Sequence, residues 1–179
     1  MTEELVLFRQ VKNGDHNSFR ELYNRNVSPL YRFMAQFTND KDQLEDWVQR
    51  AFIKSYENIN SFDGISLFAT WLFKIALNEM RMDYRKAGRT PQTSFIEEEH
   101  AAQEEDGEFV WDQVMKIWLN EIDEIKRSVF ILYEVEGYSH AEIALMLNLK
   151  ESTSRTILTR TKHWLKQKWN EEYCNDKQR

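Results

Sequence analysis

The stretch Gly137-Tyr138-Ser139-His140-Ala141-Glu142-Ile143-Ala144-Leu145-Met146-Leu147-Asn148-Leu149-Lys150-Glu151-Ser152-Thr153-Ser154-Arg155-Thr156-Ile157-Leu158-Thr159-Arg160 carries the sharpest signal in the chain. Gly137 ends one helix. Ser139 followed three residues later by Glu142 has the form of a capping box, in which each residue satisfies an orphan backbone donor of a new helix. Ile143, Ala144 and Leu147 then face inward. Asn148 sits where a tight turn needs a residue that tolerates the left-handed conformation, and Leu149 anchors the turn. A second helix begins near Glu151 or Ser152 and carries Thr153, Thr156, Ile157 and Arg160 on one face. This is helix, short turn, helix, an arrangement that presents its second helix to the major groove of DNA. Arg155 and Arg160 suit bidentate bonds to guanine, and Thr153, Thr156 and Ile157 suit polar or methyl contacts with base edges. The competing reading is an ordinary helical hairpin whose basic residues form a solvated face; Lys162 and His163 fit either.

Working outward, charge divides the chain of 179 residues. The net charge of -6 looks wrong for a DNA binder, but eight acids (Glu97, Glu98, Glu99, Glu104, Glu105, Asp106, Glu108 and Asp112) lie between Arg89 and Lys116, with no Lys or Arg among them. Without that strap the chain holds 24 basic residues against 22 acidic ones. Residues 139–169 alone have six bases and two acids. The segment 90–111 also lacks apolar periodicity and contains Pro91 and Gly107, which predicts a flexible acidic linker between residues 1–89 and 112–179. The bland alternative is a segment that merely keeps the chain soluble.

Only 2 Pro and 5 Gly are present, which favours long helices. Leu5, Phe8 and Val11 recur every three residues. Phe19, Leu22, Tyr23, Val27, Leu30, Tyr31 and Met34 follow a helical stripe that Pro29 is expected to kink or split. Leu44, Trp47, Val48, Ala51, Phe52 and Tyr56 give another stripe, and Phe68, Leu72, Ile75, Ala76 and Met80 a third. Asn60 to Gly64 has loop chemistry. After the linker, Phe109 to Ile122 resumes helical patterning, and further helices are predicted over 124–136, 139–147 and 151–170. The predicted fold is all-α, in two small helical domains.

Several function classes find no support in the residues. No run of about 18 apolar residues suggests a membrane span, and the acidic start Met1-Thr2-Glu3-Glu4 lacks the pattern of a secretory leader. Cys174 is the single cysteine, so no internal disulfide forms, which fits a reducing cytoplasm. There is no glycine-rich phosphate loop, nucleophile elbow or paired-histidine metal motif, so no catalytic residue, cofactor, metal or small-molecule substrate is expected. On a helix from Thr70, the residues Lys74, Asn78, Arg81 and Arg85 share one polar face. A basic face beside Trp71 and Phe73 suits a partly melted strand, although core packing also explains those aromatics.

In combination these segments resemble the extracytoplasmic-function group of bacterial sigma factors. Gly14-Asp15 with Ser18-Phe19 and Leu22-Tyr23 resembles the start of their region 2. Glu45-Asp46-Trp47-Val48-Gln49 with Ala51-Phe52-Ile53-Lys54 resembles their polymerase-binding helix. Thr70-Trp71-Leu72 through Asn78, Asp83 and Arg85 resembles the helix that engages the minus-ten promoter element, and Arg127 to Lys162 resembles region 4. The resemblance covers about residues 14–88 and 112–170. It implies that Asp46, Gln49 and Arg50 meet the β′ clamp helices of RNA polymerase core, with the β subunit a further contact. It implies that the loop around Ser61, Phe62, Asp63 and Gly64 holds a base flipped from the non-template strand. Asn78, Arg81 and Arg85 would line the minus-ten element, and Thr153, Arg155, Thr156, Ile157 and Arg160 would read the minus-thirty-five element. The linker would follow the RNA-exit path. An anti-sigma factor, often membrane-bound, would cover these surfaces and hold an otherwise cytoplasmic protein at the membrane.

The chain departs from the family's pattern at Arg50, where an acid is usual, and at Asp63, where a base is common. Ile122-Asp123 replaces Leu-Pro, Lys150 replaces a capping Ser or Pro, and Ile157 replaces a common Arg. An altered minus-thirty-five preference is expected from the last of these. Three rivals stay open: a stand-alone regulator, an enzyme, and a polymerase-binding decoy that does not initiate.

Overall fold

The structure is a computed structural model that describes residues 3–64, 66–88, 114, 115 and 117–174. The acidic linker expected over 90–111 lies outside the described residues. Among the described residues every regular element is helical, and the chain divides into two compact units.

The first unit contains α1 (Glu3–Lys12), α2 (His16–Met34), α3 (Lys41–Glu57) and α4 (Phe68–Lys86). Asp15 caps α2 by accepting from the Asn17 N–H at 3.0 Å, and Asp40 caps α3 by accepting from Gln43 N–H at 3.1 Å. Both carboxylates stand at the positive ends of their helices. Of the two outcomes expected at Pro29, a kink or a split, the split does not occur: one helix runs from His16 to Met34. Leu30, Phe33 and Met34 are fully buried just beyond the proline, and their burial holds the helix together past the missing N–H.

The core gathers Leu22, Leu30, Phe33, Phe37, Leu44, Trp47, Ala51, Leu72, Phe73, Ala76 and Leu77. Tyr23 and Tyr56, assigned by periodicity to the inward stripes, are instead 40% and 38% exposed. A polar bolt joins α3 to α4. Arg50 pairs with Asp83, with Asp46 at 2.9 Å and with Glu79 at 3.5 Å, while Lys54 meets Glu79 at 2.5 Å. The Trp47 indole N–H donates to Asp83 at 2.9 Å. The Arg50 guanidinium holds the Asp83 carboxyl below the usual carboxylate range.

The later part of the chain contains α5 (117–121), α6 (Glu124–Phe130), α7 (His140–Leu147) and α8 (Glu151–Trp169). A wider π-type turn, Ile131–Val135, continues α6, and another, Asn170–Cys174, ends α8. Asp123 caps α6 by accepting from Lys126 N–H at 2.9 Å, so the departure at this position supplies a helix start of its own. Trp118, Leu119, Val129, Leu132, Ile143, Leu158 and Leu165 are buried. Arg127 is buried with them and donates from Nη2 to the Ile122 carbonyl at 3.0 Å.

Candidate nucleic-acid interface

The local chemistry of the turn between α7 and α8 is as its residues predict. Ser139 Oγ accepts from the Glu142 N–H at 3.3 Å, and the Ser139 N–H donates back to Glu142 Oε2 at 2.8 Å. Asn148 is left-handed, with φ 56 and ψ 48, and the Leu149 N–H donates to the Ala144 carbonyl at 2.9 Å. Lys150 takes the N-cap position of α8 without a side-chain cap, so the helix begins at Glu151.

Four buried residues of α8, Ser154, Leu158, Thr161 and Leu165, are spaced four, three and four apart and define its inner face. At about 100° per residue, Ser152 and Thr156 centre on the opposite face, and Arg155 and Arg160 flank it on either side. Thr153, Arg155, Thr156 and Arg160 are all exposed, and Ile157 is half-buried at the border. The Thr156 hydroxyl donates to the Ser152 carbonyl and the Thr159 hydroxyl to the Arg155 carbonyl, each at 2.9 Å. Their methyl groups and oxygen lone pairs remain for a groove. Arg155 Nη2 meets Glu151 Oε1 at 2.5 Å, and Lys162 is drawn to Glu134 at 2.9 Å. Ser152 and Thr159 share the outer face and were missed from the sequence; angular position relative to the buried stripe identifies them.

His140, at the first turn of α7, is another residue that sequence reasoning passed over. It is 7% exposed, its Nδ1 lies 2.9 Å from Ser154 Oγ, and its ring stacks on Tyr133 at 4.4 Å between centroids. The contact pins α8 to α7. Burial lowers its pKa, Arg155 lowers it further and Glu151 opposes them; the positive end of α7 also disfavours the cation. The folded form therefore takes up its proton at lower pH than the unfolded chain, whose imidazole titrates near about 6.5. The stabilising effect is complete above that pH and declines as the pH falls below it. Full-chain melting temperature measured between about pH 7.5 and 5.5 is expected to fall more steeply for the native sequence than for His140→Asn. Parallel curves would remove His140 as the cause.

In the first unit, Lys74, Asn78 and Arg85 are exposed along α4, and Arg81 is half-buried with its carbonyl accepting from Arg85 Nε at 3.3 Å. Ser61 and Asp63 are exposed, and Gly64 takes a positive φ of 72 that favours glycine. Phe62, expected with its neighbours to hold a flipped base, is 5% exposed, set edge-on to Phe8 and stacked on Trp71 at 5.0 Å, so its ring supports the loop from within. Asp83, part of the recognised motif, serves the bolt between α3 and α4.

On α3, Asp46 and Gln49 are exposed, whereas Arg50 is half-buried in that bolt. Gln49 stands at the edge of an apolar groove of about 980 Å³ between α2 and α3, lined by Tyr23, Val27, Phe52, Ile53 and Tyr56. The two exposed tyrosines thus have a place: they form the wall of this groove. Among the described residues no cluster of His, Cys, Asp and Glu suits a metal ion, and no helix is long and apolar enough to cross a membrane.

Comparison with known proteins gives two family matches: sigma-70 region 2 over residues 22–90 and sigma-70 region 4 over residues 119–165. The chain is 27% identical to an ECF RNA polymerase sigma-E factor of Haemophilus influenzae, with 94% of this chain and 97% of the relative covered. The sigma-E factor of Escherichia coli K12 is 28% identical, with 90% and 93% covered. The RNA polymerase sigma-H factor of Pseudomonas aeruginosa is 27% identical, with 89% and 90% covered. Among solved structures, CnrH in complex with the cytosolic domain of CnrY superposes with a TM-score of 0.72 at 23% identity, covering 94% of this chain and 98% of that one. The sigma factor RpoE of Bartonella quintana, solved with the anti-sigma factor NepR, superposes with a TM-score of 0.67 at 22% identity, covering 83% and 94%. The two structures share the fold.

Proposed function

The chain belongs to the sigma-70 family, in its extracytoplasmic-function group, and from that premise we propose how its surfaces divide the work of starting transcription. The protein binds RNA polymerase core and directs it to chosen promoters. It acts by binding, with no chemical step of its own. The domains run over 1–89 and 112–179, joined by the acidic segment 90–111. Asp46 and Gln49, beside the apolar groove of α2 and α3, engage the polymerase clamp, and Arg50 contributes by fixing α3 on α4. Ser61, Asp63 and Gly64 receive the melted strand, and Asn78, Arg81 and Arg85 lie along the minus-ten element. Ser152, Thr153, Arg155, Thr156, Ile157 and Arg160 face the minus-thirty-five element.

The observation that carries this reading is α8: a capped turn presents an exposed face of hydroxyls flanked by two arginines. Two weak DNA modules on one chain gain affinity through effective concentration, and polymerase fixes their spacing. An anti-sigma factor covering the groove or α8 would silence both, and one anchored in a membrane would keep the protein there.

Run-off transcription tests the reading. Purified protein is added to sigma-free core polymerase on fragmented DNA from the source genome. Discrete transcripts that require the protein are expected. Their upstream sequences should show two elements, the farther differing from the usual family motif because Ile157 offers a methyl contact in place of an arginine. Arg160→Ala should lower initiation from those promoters about tenfold or more and relax discrimination at one base pair, since one bidentate base contact contributes about 1–3 kcal/mol. No transcripts from a competent core would turn the reading toward a polymerase-binding decoy.

A further inference from the structure

Helix α1 precedes the segment that matches sigma-70 region 2, and its sequence offers only a short apolar stripe. Two of its polar side chains reach across to the loop that follows α3. Glu4 Oε1 accepts from the backbone N–H of Phe68 at 2.8 Å. That N–H belongs to the first turn of α4, whose own N-cap, Leu67, has no acceptor to offer. At the other end of α1, Lys12 Nζ donates to the Phe62 carbonyl at 3.0 Å and to the Asn60 carbonyl at 3.4 Å. Glu4 and Lys12 are eight residues apart, about 12 Å along a helix, so α1 brackets the loop at entrance and exit.

Between the brackets lies an aromatic stack. Lys12 Nζ sits 4.7 Å from the Phe8 ring centroid. Phe8 meets Phe62 edge-on at 4.7 Å, and the other neighbours of Phe62 are Trp71 at 5.0 Å and Phe68 at 6.3 Å. The burial of Phe62 leaves Ser61 and Asp63 on the outside, which is the side a strand would approach.

We propose that α1 is a clamp for the melted-strand loop, with Lys12 and Glu4 as positioning residues that hold residues 60–64 ready for an extruded base. The inference rests on the reading that this loop captures a base. Unstacking a base is unfavourable, and a loop that must order itself on capture adds a second cost. Lys12 removes that second cost by fixing two carbonyls on one side of the loop, and Glu4 fixes the start of the helix on the other. Neither side chain touches the strand.

The test uses holoenzyme assembled with the full chain and a single-stranded oligonucleotide carrying the minus-ten element found by run-off transcription. A second oligonucleotide has an abasic site at the captured position. Wild type should bind the intact strand more tightly than the abasic one. Lys12→Met should bind the intact strand about tenfold more weakly, a loss in keeping with one charged hydrogen bond, and bind the abasic strand nearly as wild type does. Lys12→Arg should restore the preference, and Glu4→Gln should reduce it in part. Melting temperature and core binding of Lys12→Met should stay near wild type. Full discrimination by Lys12→Met would overturn the proposal, as would a loss that falls equally on both strands together with core binding. A wild type indifferent to the missing base would overturn the underlying reading of the loop, and the proposal with it.

Discussion

Replacing Trp47 by alanine should cost the first unit about 3–5 kcal/mol, the range for emptying a buried indole site. Trp47 is completely buried at the junction of α3 and α4, beside Tyr84 at 5.6 Å between rings. Its indole N–H is one of the donors that Asp83 accepts. The substitution therefore leaves a cavity and removes part of the bolt that Arg50 completes. A domain of this size commonly has only about 5–15 kcal/mol in reserve, so most of the margin disappears. Trp47→Phe keeps much of the volume and loses the hydrogen bond, and should cost roughly half as much. Thermal melting of the full chain checks the order: alanine far below phenylalanine, phenylalanine below wild type. Polymerase binding should follow the same order, because α3 carries Trp47 on its inner side and Val48, Phe52 and Ile53 on the groove side. A loss under about 1 kcal/mol for alanine would mean that the site collapses around the gap.

This pattern of consequences marks the boundary of what the residues alone disclose. Trp47 belongs to an apolar stripe, so its burial follows from periodicity. Ser139, Glu142 and Asn148 act within one turn of themselves, so the capping box and the left-handed turn are equally legible. Arg50 is different. Its partners Glu79 and Asp83 lie 29 and 33 residues away, and spacing along one helix says nothing about which side chain another helix will bring opposite. As a result, the tie that Arg50 makes between α3 and α4 could not be read beside the polymerase contact that the resemblance implies for it. Phe62 shows the same limit, since a loop phenylalanine is assigned to solvent or core only by knowing that Phe8 and Trp71 converge on it. Tyr23 and Tyr56 lie on helical stripes yet face an open groove, because periodicity gives a direction and cannot give the presence of a covering element. His140 and Ser154, 14 residues apart, are another pairing that only the fold reveals.

Arg127 produces the second large effect, and its size depends on the replacement. The side chain is 1% exposed, and burial pushes its pKa down to about 10. Below that pH both the folded and unfolded forms carry the charge, so the penalty for burying it is constant through neutral pH and no change of buffer there relieves it. What offsets the penalty is packing, the attraction of Glu124 and Asp123, and the bond from Nη2 to the Ile122 carbonyl just ahead of the Asp123 cap. Arg127→Ala removes these together and opens a cavity beneath α6, the helix against which α8 packs, so a loss of about 3–5 kcal/mol is expected. Arg127→Met fills much of the same space and removes the charge as well, leaving chiefly one carbonyl to be satisfied. Its cost should be less than half that of alanine. The contrast also separates charge from shape in promoter recognition. If Arg127 acts only by packing, holoenzyme with Arg127→Met keeps its minus-thirty-five preference while Arg127→Ala loses it. If methionine proves as damaging as alanine in both melting and promoter discrimination, the buried guanidinium itself, through its hold on the Ile122 carbonyl, sets the position of the reading helix.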